Sequence, residues 1–392
     1  MKSIRDINVQ GKTVVVRADF DVPMAPDGTI VDDYRIQKAL PTILGLQEQG
    51  AKHITIIAHL GQPVGRPREL VEHVESGNPR LSMKPIAHRL REILGEPTDD
   101  LEAIRLPGID LPAYPITTTI TLLENLRFDW RETKNDPVFA EELAALGDIY
   151  VYDAFAVAHR NHASTTTALV KTAELAAGIH LIEEVTSLSK LHANIQHPYC
   201  VVLGGAKIES KLPVIEQLLE NVDNFLLAGV MSNTFAKGQG FDIKRSAVEL
   251  DQVGLAIELY RQAPEKFVLP EDYVWQNDKI MDVGLRTREK FKQVIAEAKT
   301  IFWNGTLGVT SLSAQDFTFG TDDVANAIAS NRDALSIVSG GDTVGQVNRA
   351  GINLDQFSFV STGGGATLEF LAGKELPALK ALGYNKIQNA TS

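Results

Sequence analysis

The clearest chemistry in this chain lies in glycines set beside small polar and charged groups. Gly363-Gly364-Gly365-Ala366-Thr367 follows an apolar run and leads into a segment of helical spacing. Ser339-Gly340-Gly341-Asp342-Thr343 repeats the arrangement, and Gly204-Gly205-Ala206-Lys207 follows a third apolar run. Glycine admits a ligand close to the backbone, and the free N–H groups at a helix start attract anions. Asp342 adds a carboxylate able to reach a bound Mg²⁺. One such loop is as well explained by a tight turn that needs left-handed backbone. Three of them favour phosphate binding.

Lys207 and Lys211 stand four apart at the start of a predicted helix, a spacing that puts both on one face. Alone, the pair reads as solvated surface. At a helix N-terminus, however, cations oppose the dipole, and a bound phosphate would relieve that.

A second set of candidates is cationic: Arg17, Arg35, His59, Arg127, His159, Arg160 and His162. Several follow apolar runs directly, where loops would carry them into one crevice. The planar fork of arginine bonds carboxylate and phosphate bidentately. Arg17 and His162 also read as structural partners for nearby acids, and a lone histidine such as His59 is more often structural. The chain contains no G-x-x-x-x-G-K-[ST], G-x-G-x-x-G, H-E-x-x-H or C-x-x-C pattern.

The elements that must position these groups are short apolar, β-branched runs at 13–20, 53–60, 119–126, 149–155, 199–203, 224–229, 266–269, 300–303, 336–339 and 357–361. Most are continuous rather than alternating, as in strands covered on both faces. Helical spacing appears between them at 35–49, 137–146, 210–221, 288–299 and 322–330. The alternation predicts an α/β fold with parallel sheets. Strands of the first half run into Arg, Asp and His, and those of the second half into Gly. Ligands of open α/β sheets sit beyond the carboxyl ends of the strands, so two domains with different sites are expected. A helix over 181–194, with Leu181, Val185, Leu188 and Leu191 on one stripe, is the expected connector. A last helix is expected over 366–382, and 62–85 reads as a loop rich in Pro, Gly and charge.

Composition narrows the class. With 44% hydrophobic and 22% charged residues, 392 residues suit a globular protein of two or three domains. A net charge of -12 argues against nucleic acid. The single cysteine, Cys200, fits a reducing compartment. The N-terminus lacks the apolar core of a signal peptide and no run suggests a membrane span, so a cytoplasmic location is expected.

Taken in order, RADFDVP at 17–23, RI at 35–36, HLGQP at 59–63, LLENLRF at 122–128, DAFAVAHR at 153–160, GGAKIESK at 204–211, WNG at 303–305, GGDT at 340–343 and STGGGATLEFLAGKELP at 361–377 resemble phosphoglycerate kinase. The resemblance implies two doubly wound, Rossmann-like parallel-sheet lobes joined by a hinge helix. Its boundaries are 1–180 for a 3-phosphoglycerate lobe, 181–195 for the interdomain helix, 196–370 for a nucleotide lobe and 371–392 for a segment returning to the first lobe. It further implies reversible phosphoryl transfer from 1,3-bisphosphoglycerate to MgADP, giving 3-phosphoglycerate and MgATP, by a monomer without nucleic-acid or membrane partners. Residues matching the acid site are Asp19, Phe20, Asp21, Arg35, His59, Leu60, Gly61, Gln62, Arg127 and Arg160. Those matching the nucleotide site are Lys207, Lys211, Gly229, Asn304, Ser311, Gly340, Gly341, Asp342 and Thr343, with Asp342 facing magnesium. Arg35, Lys207 and the amides of Gly341 and Gly364 are expected around the moving phosphoryl group.

The chain departs from that pattern in places. Gln62 stands for a usual Arg and Asp21 for a usual Asn, making the acid pocket less positive. Ser311 replaces a Glu and Thr306 a Pro, while Ala228 and Val230 flank Gly229 in place of a denser glycine run. Ala156-Val157 replaces Gly-Thr, and Leu285 a Pro. Two other readings follow: a non-catalytic nucleotide or acid binder on the same scaffold, and a related acyl-phosphate-forming kinase with another small acid.

Overall fold

The computed structural model describes residues 1–63, 81–99, 101–193, 195–310 and 317–384. The chain divides into two compact units: one comprises Met1–Val185 and the segment after Lys374, the other Thr186–Lys374.

The sheet of the first unit contains β1 (Thr13–Ala18), β2 (His53–Ile57), β3 (Ile104–Arg105), β4 (Pro112–Pro115), β5 (Ile120–Leu123), β6 (Ile149–Asp153) and β7 (Leu175–Ala177). Their order is β3-β4-β5-β2-β1-β6-β7. Strands β5, β2, β1, β6 and β7 are parallel. The pairs β3–β4 and β4–β5 are antiparallel, an edge the apolar runs did not announce. β6 is buried throughout and β1 at all but its first residue, as strands covered on both faces require.

The second unit holds β8 (Tyr199–Leu203), β9 (Asn224–Leu227), β10 (Phe267–Val268), β13 (Thr300–Asn304), β14 (Leu335–Ser339) and β15 (Phe359–Ser361), all parallel, in the order β10-β9-β8-β13-β14-β15. A separate antiparallel hairpin joins β11 (Tyr273–Gln276) to β12 (Lys279–Val283). Both main sheets are doubly wound, as expected.

Each sheet has one place where the chain reverses its direction of winding. In the first it lies between β1 and β6, where Ala18 pairs with Asp153. In the second it lies between β8 and β13, where Leu203 pairs with Asn304. Loops leaving these strand ends diverge and open a crevice.

Several helices differ from expectation. The helix expected over 181–194 runs Ile179–Ser189, and the division between the two units falls inside it, between Val185 and Thr186. Asn194 lies outside the described residues. Asp153 accepts the Leu181 N–H at 2.8 Å, tying the helix start to β6. A Cβ on Gly178 would overlap that carboxylate, which accounts for glycine there. The helix expected over 210–221 is shorter, Leu212–Leu218. The last segment is two helices, Gly365–Leu371 and Pro377–Ala381, separated by Gly373 at φ 77° and begun again at Pro377. Of the predicted loop 62–85, residues 64–80 lie outside the described residues, and Lys84 and Pro85 open the helix Lys84–Leu94.

Candidate active site

The loop after β1 carries Asp19 and Asp21, and the helix Tyr34–Glu48 presents Arg35 to it. Arg35 donates from Nη1 to Oδ2 of Asp19 at 2.7 Å, so the guanidinium is anchored while 22% of the side chain stays exposed. Asp21 accepts the Gly61 N–H at 2.7 Å and faces Nε2 of His59 at 3.5 Å. Behind His59, Arg17 donates from Nη2 to Nδ1 at 3.3 Å. A guanidinium can only donate, so Nδ1 is the acceptor and the ring proton sits on Nε2, toward Asp21. Arg127 donates to the Gly61 carbonyl at 2.7 Å, and Arg160 is exposed.

The charge of this crevice comes from its arginines. Burial holds His59 below its ordinary range, with Arg17 and Arg127 adding to the effect. Burial also takes His159 down to about 4 and His162 down to about 3, helped by nearby arginines. The three histidines are therefore neutral near pH 7, contrary to their expected place among the cations. Asp21 is the opposite case. Burial works to raise its pKa, but the His59 hydrogen bond, the Gly61 amide and Arg35 outweigh it and hold the carboxylate well below its usual range. Burial presses on the Arg127 guanidinium, as do the charges of Arg17 and Arg160, so an entering anion would relieve a standing repulsion.

In the second unit, Gly204 and Gly305 meet where β8 and β13 end. Gly204 donates to the Asn304 carbonyl at 3.0 Å and Gly205 to the Thr306 carbonyl at 2.7 Å. A Cβ on Gly204 would lie 2.2 Å from the Thr306 oxygen, so no side chain fits. Gly229, at φ 60°, opens the helix Gly229–Gly238 and packs against the Gly205 backbone. Gly340, at φ 100°, precedes the helix Gly341–Arg349, whose first amides have no intrahelical acceptors. Asn304 donates to Ser339 Oγ at 2.8 Å, and Thr343 Oγ1 accepts the Gly305 N–H at 2.8 Å. Gly364 lies against Gly340 but has φ −70°, so the triple glycine is not there for left-handed backbone.

The lysines take different positions from those expected. Lys207 is exposed in the loop before the helix, and only Lys211 caps it. Lys211 is 5% exposed, and a Cβ on Gly205 would be 3.4 Å from its Nζ. Burial lowers its pKa to about 8, Lys207 adds to this, and Glu249 and Asp342 oppose it. Asp342 is exposed in the first turn of its helix. Among the described residues no cluster of three His, Cys, Asp or Glu could hold a metal. A lone carboxylate suits a Mg²⁺ already carried on phosphates rather than a cage built by the protein.

A sequence model of phosphoglycerate kinase matches residues 4–374. The phosphoglycerate kinase of Rubrobacter xylanophilus is 41% identical, over 97% of this chain and 98% of its own. The structure of the Coxiella burnetii phosphoglycerate kinase superposes with TM-score 0.76 at 36% identity, covering 99% of both chains. That of Pyrococcus horikoshii gives TM-score 0.81 at 31% identity over 100% of both. The chain belongs to the phosphoglycerate kinase family. It is accordingly a kinase of glycolysis, with ADP and ATP as substrates, and its reaction is the reversible phosphoryl transfer of that family. No helix among the described residues is long and apolar enough to cross a membrane.

Against the phosphoglycerate kinase expectation, Asp19, Asp21, Arg35, His59, Gly61 and Arg127 form one hydrogen-bonded group. Gln62 is exposed beside it. Phe20 and Leu60 are core residues, and Leu60 has both backbone groups taken by Asn125. Lys207, Lys211, Gly229, Asn304, Gly340, Gly341, Asp342, Thr343 and Gly364 all belong to the second unit, at strand ends, in the loops that follow them or in the first turns of the next helices. Ser311 lies outside the described residues. Residues missed by sequence reasoning stand behind these. Ser164 accepts from Arg17 Nε at 2.9 Å and donates to Glu132, and Asn125 ties Leu60 to Leu81. Asn125 was visible inside LLENLRF; Ser164 and Glu132 gave no signal.

Proposed function

We propose that the first unit binds 3-phosphoglycerate at the end of β1 and β6, and the second binds the magnesium nucleotide at the end of β8 and β13. The supporting observation is that the first unit carries its arginines, and the second its glycines and lysines, in segments around the carboxyl ends of their parallel strands, beside the point where each winding reverses. The arginines of the first crevice suit a phosphorylated carboxylic acid, and the glycines and lysines of the second suit polyphosphate.

The acceptor carboxylate is already a deprotonated nucleophile, so no general base is required. Catalysis reduces to alignment and to stabilising charge on the moving phosphoryl group. Arg35, Lys207 and the Gly341 and Gly364 amides take that role. Arg127, Arg160, His59, Gly61 and Gln62 hold the acid. Lys211, Gly229, Asn304, Ser311, Gly340 and Thr343 hold the nucleotide. Asp342 takes the Mg²⁺, which when bound neutralises phosphate charge. The enzyme works as a cytoplasmic monomer, a location in keeping with its one free cysteine, Cys200.

Initial rates with MgATP and 3-phosphoglycerate, read through a coupled NADH-consuming dehydrogenase, test this alongside Arg35→Ala. Turnover that collapses in the variant is the expected result. Binding of MgADP without turnover would overturn the catalytic reading. The charged Asp21 favours one second reading, a different preferred acid, and a panel of phosphorylated acids would then yield a better substrate than 3-phosphoglycerate.

A further inference from the structure

The loop Lys207–Lys211 carries both lysines of the second crevice, yet only Lys211 touches a regular element. Its backbone is pinned from a distance. Glu249 Oε1 accepts the Ile208 N–H at 3.0 Å and Oε2 accepts the Glu209 N–H at 3.3 Å. The Ile208 side chain is fully buried, and Ser210 closes the loop by donating to the Lys207 carbonyl at 3.0 Å. Glu249 is itself placed by Thr234 Oγ1, which accepts its N–H at 3.4 Å. Thr234 lies on the helix that Gly229 opens, and Val230 of that helix donates to the Gly205 carbonyl at 3.1 Å. Glu249 therefore joins the lysine loop, through its carboxylate, to the helix Gly229–Gly238, through its backbone N–H.

We propose that Glu249 is a positioning residue for nucleotide binding, fixing the Lys207–Lys211 loop. The proposal rests on the nucleotide reading of that crevice. Two hydrogen bonds from adjacent amides to one carboxylate set the direction in which the loop leaves β8. The negative charge also offsets the burial of the Lys211 ammonium. Lys211 is faced by three charged groups: Glu249 and Asp342, which favour its protonated form, and Lys207, which disfavours it. A structural clasp alone would have no need of that charge.

The test is steady-state kinetics against pH for Glu249→Gln and Glu249→Asp. Glutamine retains one acceptor but loses the charge and turns a donor toward the second amide. It should raise the Michaelis constant for MgATP roughly tenfold, the effect of one lost charge-assisted hydrogen bond. The constant for 3-phosphoglycerate should not move. The alkaline limb of kcat/KM for MgATP should shift to lower pH, while Glu249→Asp keeps the limb in place and raises the MgATP constant several-fold through its shorter reach. A wild-type limb and wild-type MgATP constant in Glu249→Gln would overturn the proposal. If Glu249→Gln does not fold, a wild-type MgATP constant in Glu249→Asp would do so. Lys211→Met separates the two claims, since an unaffected MgATP constant there removes the nucleotide reading itself.

Discussion

Arg35 and Asp19 form an ion pair in which the two partners have unequal access to water. The carboxylate side chain is 4% exposed and the guanidinium 22%. Asp19 is thus the fixed member, and the Arg35 guanidinium is the one that reaches the solvent side of the pair. Glu184 and Asp21 add to the negative field on it.

Arg35→Ala should lower kcat by orders of magnitude while MgADP still binds. Asp19 would be left buried without its partner, so the thermal midpoint should also fall, by the equivalent of about 1.5–3 kcal/mol. Calorimetry together with nucleotide titration separates the two effects. A kcat near wild type would remove Arg35 from the mechanism.

Asp21→Asn removes a negative charge from the acid crevice. The Michaelis constant for 3-phosphoglycerate should fall several-fold, and Gln62→Arg should act in the same direction. The pH dependence has a definite sign. The folded Asp21 carboxylate titrates well below its ordinary 3.8, so its stabilisation is full above that pH and is lost progressively as pH falls from there through the lower folded value. Urea melts near pH 3 should show a smaller loss for Asp21→Asn than for wild type.

Lys211 should make activity and stability respond to pH in opposite directions. Its folded pKa is about 8 against an ordinary 10.5, so between those values the unfolded chain holds the proton and the folded one does not. Its contribution to stability therefore rises with pH across that window. Binding of MgATP needs the charged form and should weaken over the same window. Lys211→Met should abolish both trends, and melts at pH 8 and 10 without ligand would expose either failure.

Gly340 and Gly341 are neighbours with different tolerances. Gly340 has φ 100°, and a Cβ there would lie 3.2 Å from Asn304 Nδ2 and Thr343 Oγ1. Gly340→Ala should destabilise by about 1–3 kcal/mol. Nothing lies within 4 Å of a Cβ on Gly341. Gly341→Ala should leave the thermal midpoint unchanged or slightly raised and weaken MgATP by obstructing approach to its amide. Equal melting losses in both would contradict this.

All ten apolar runs became strands, because parallel strands buried on both faces leave continuous apolar sequence. The edge and hairpin strands left no such trace. Pro112–Pro115 contains two prolines, and Tyr273–Gln276 is half-buried at most. The helix Gly229–Gly238 was hidden by its Gly, Ser, Asn and Thr, although buried Met231 and Phe235 secure it. The glycine loops and arginines were legible because their chemistry is local. Charge states were not, since the neutrality of His59 depends first on its burial in the folded unit and then on Arg17 and Arg127, far along the chain. Likewise Glu249 stands 41 residues from Ile208, and no local pattern joins them.

The first unit opens the chain and is resumed after Lys374, where Ala378 donates to the Ala158 carbonyl at 3.2 Å. A ribosome reading this message therefore makes the whole second unit before it delivers the helix Pro377–Ala381. Until then the Ala158 carbonyl lacks that partner. The second unit, uninterrupted in sequence, can complete its sheet first, so the unit synthesised later is the one positioned to finish earlier.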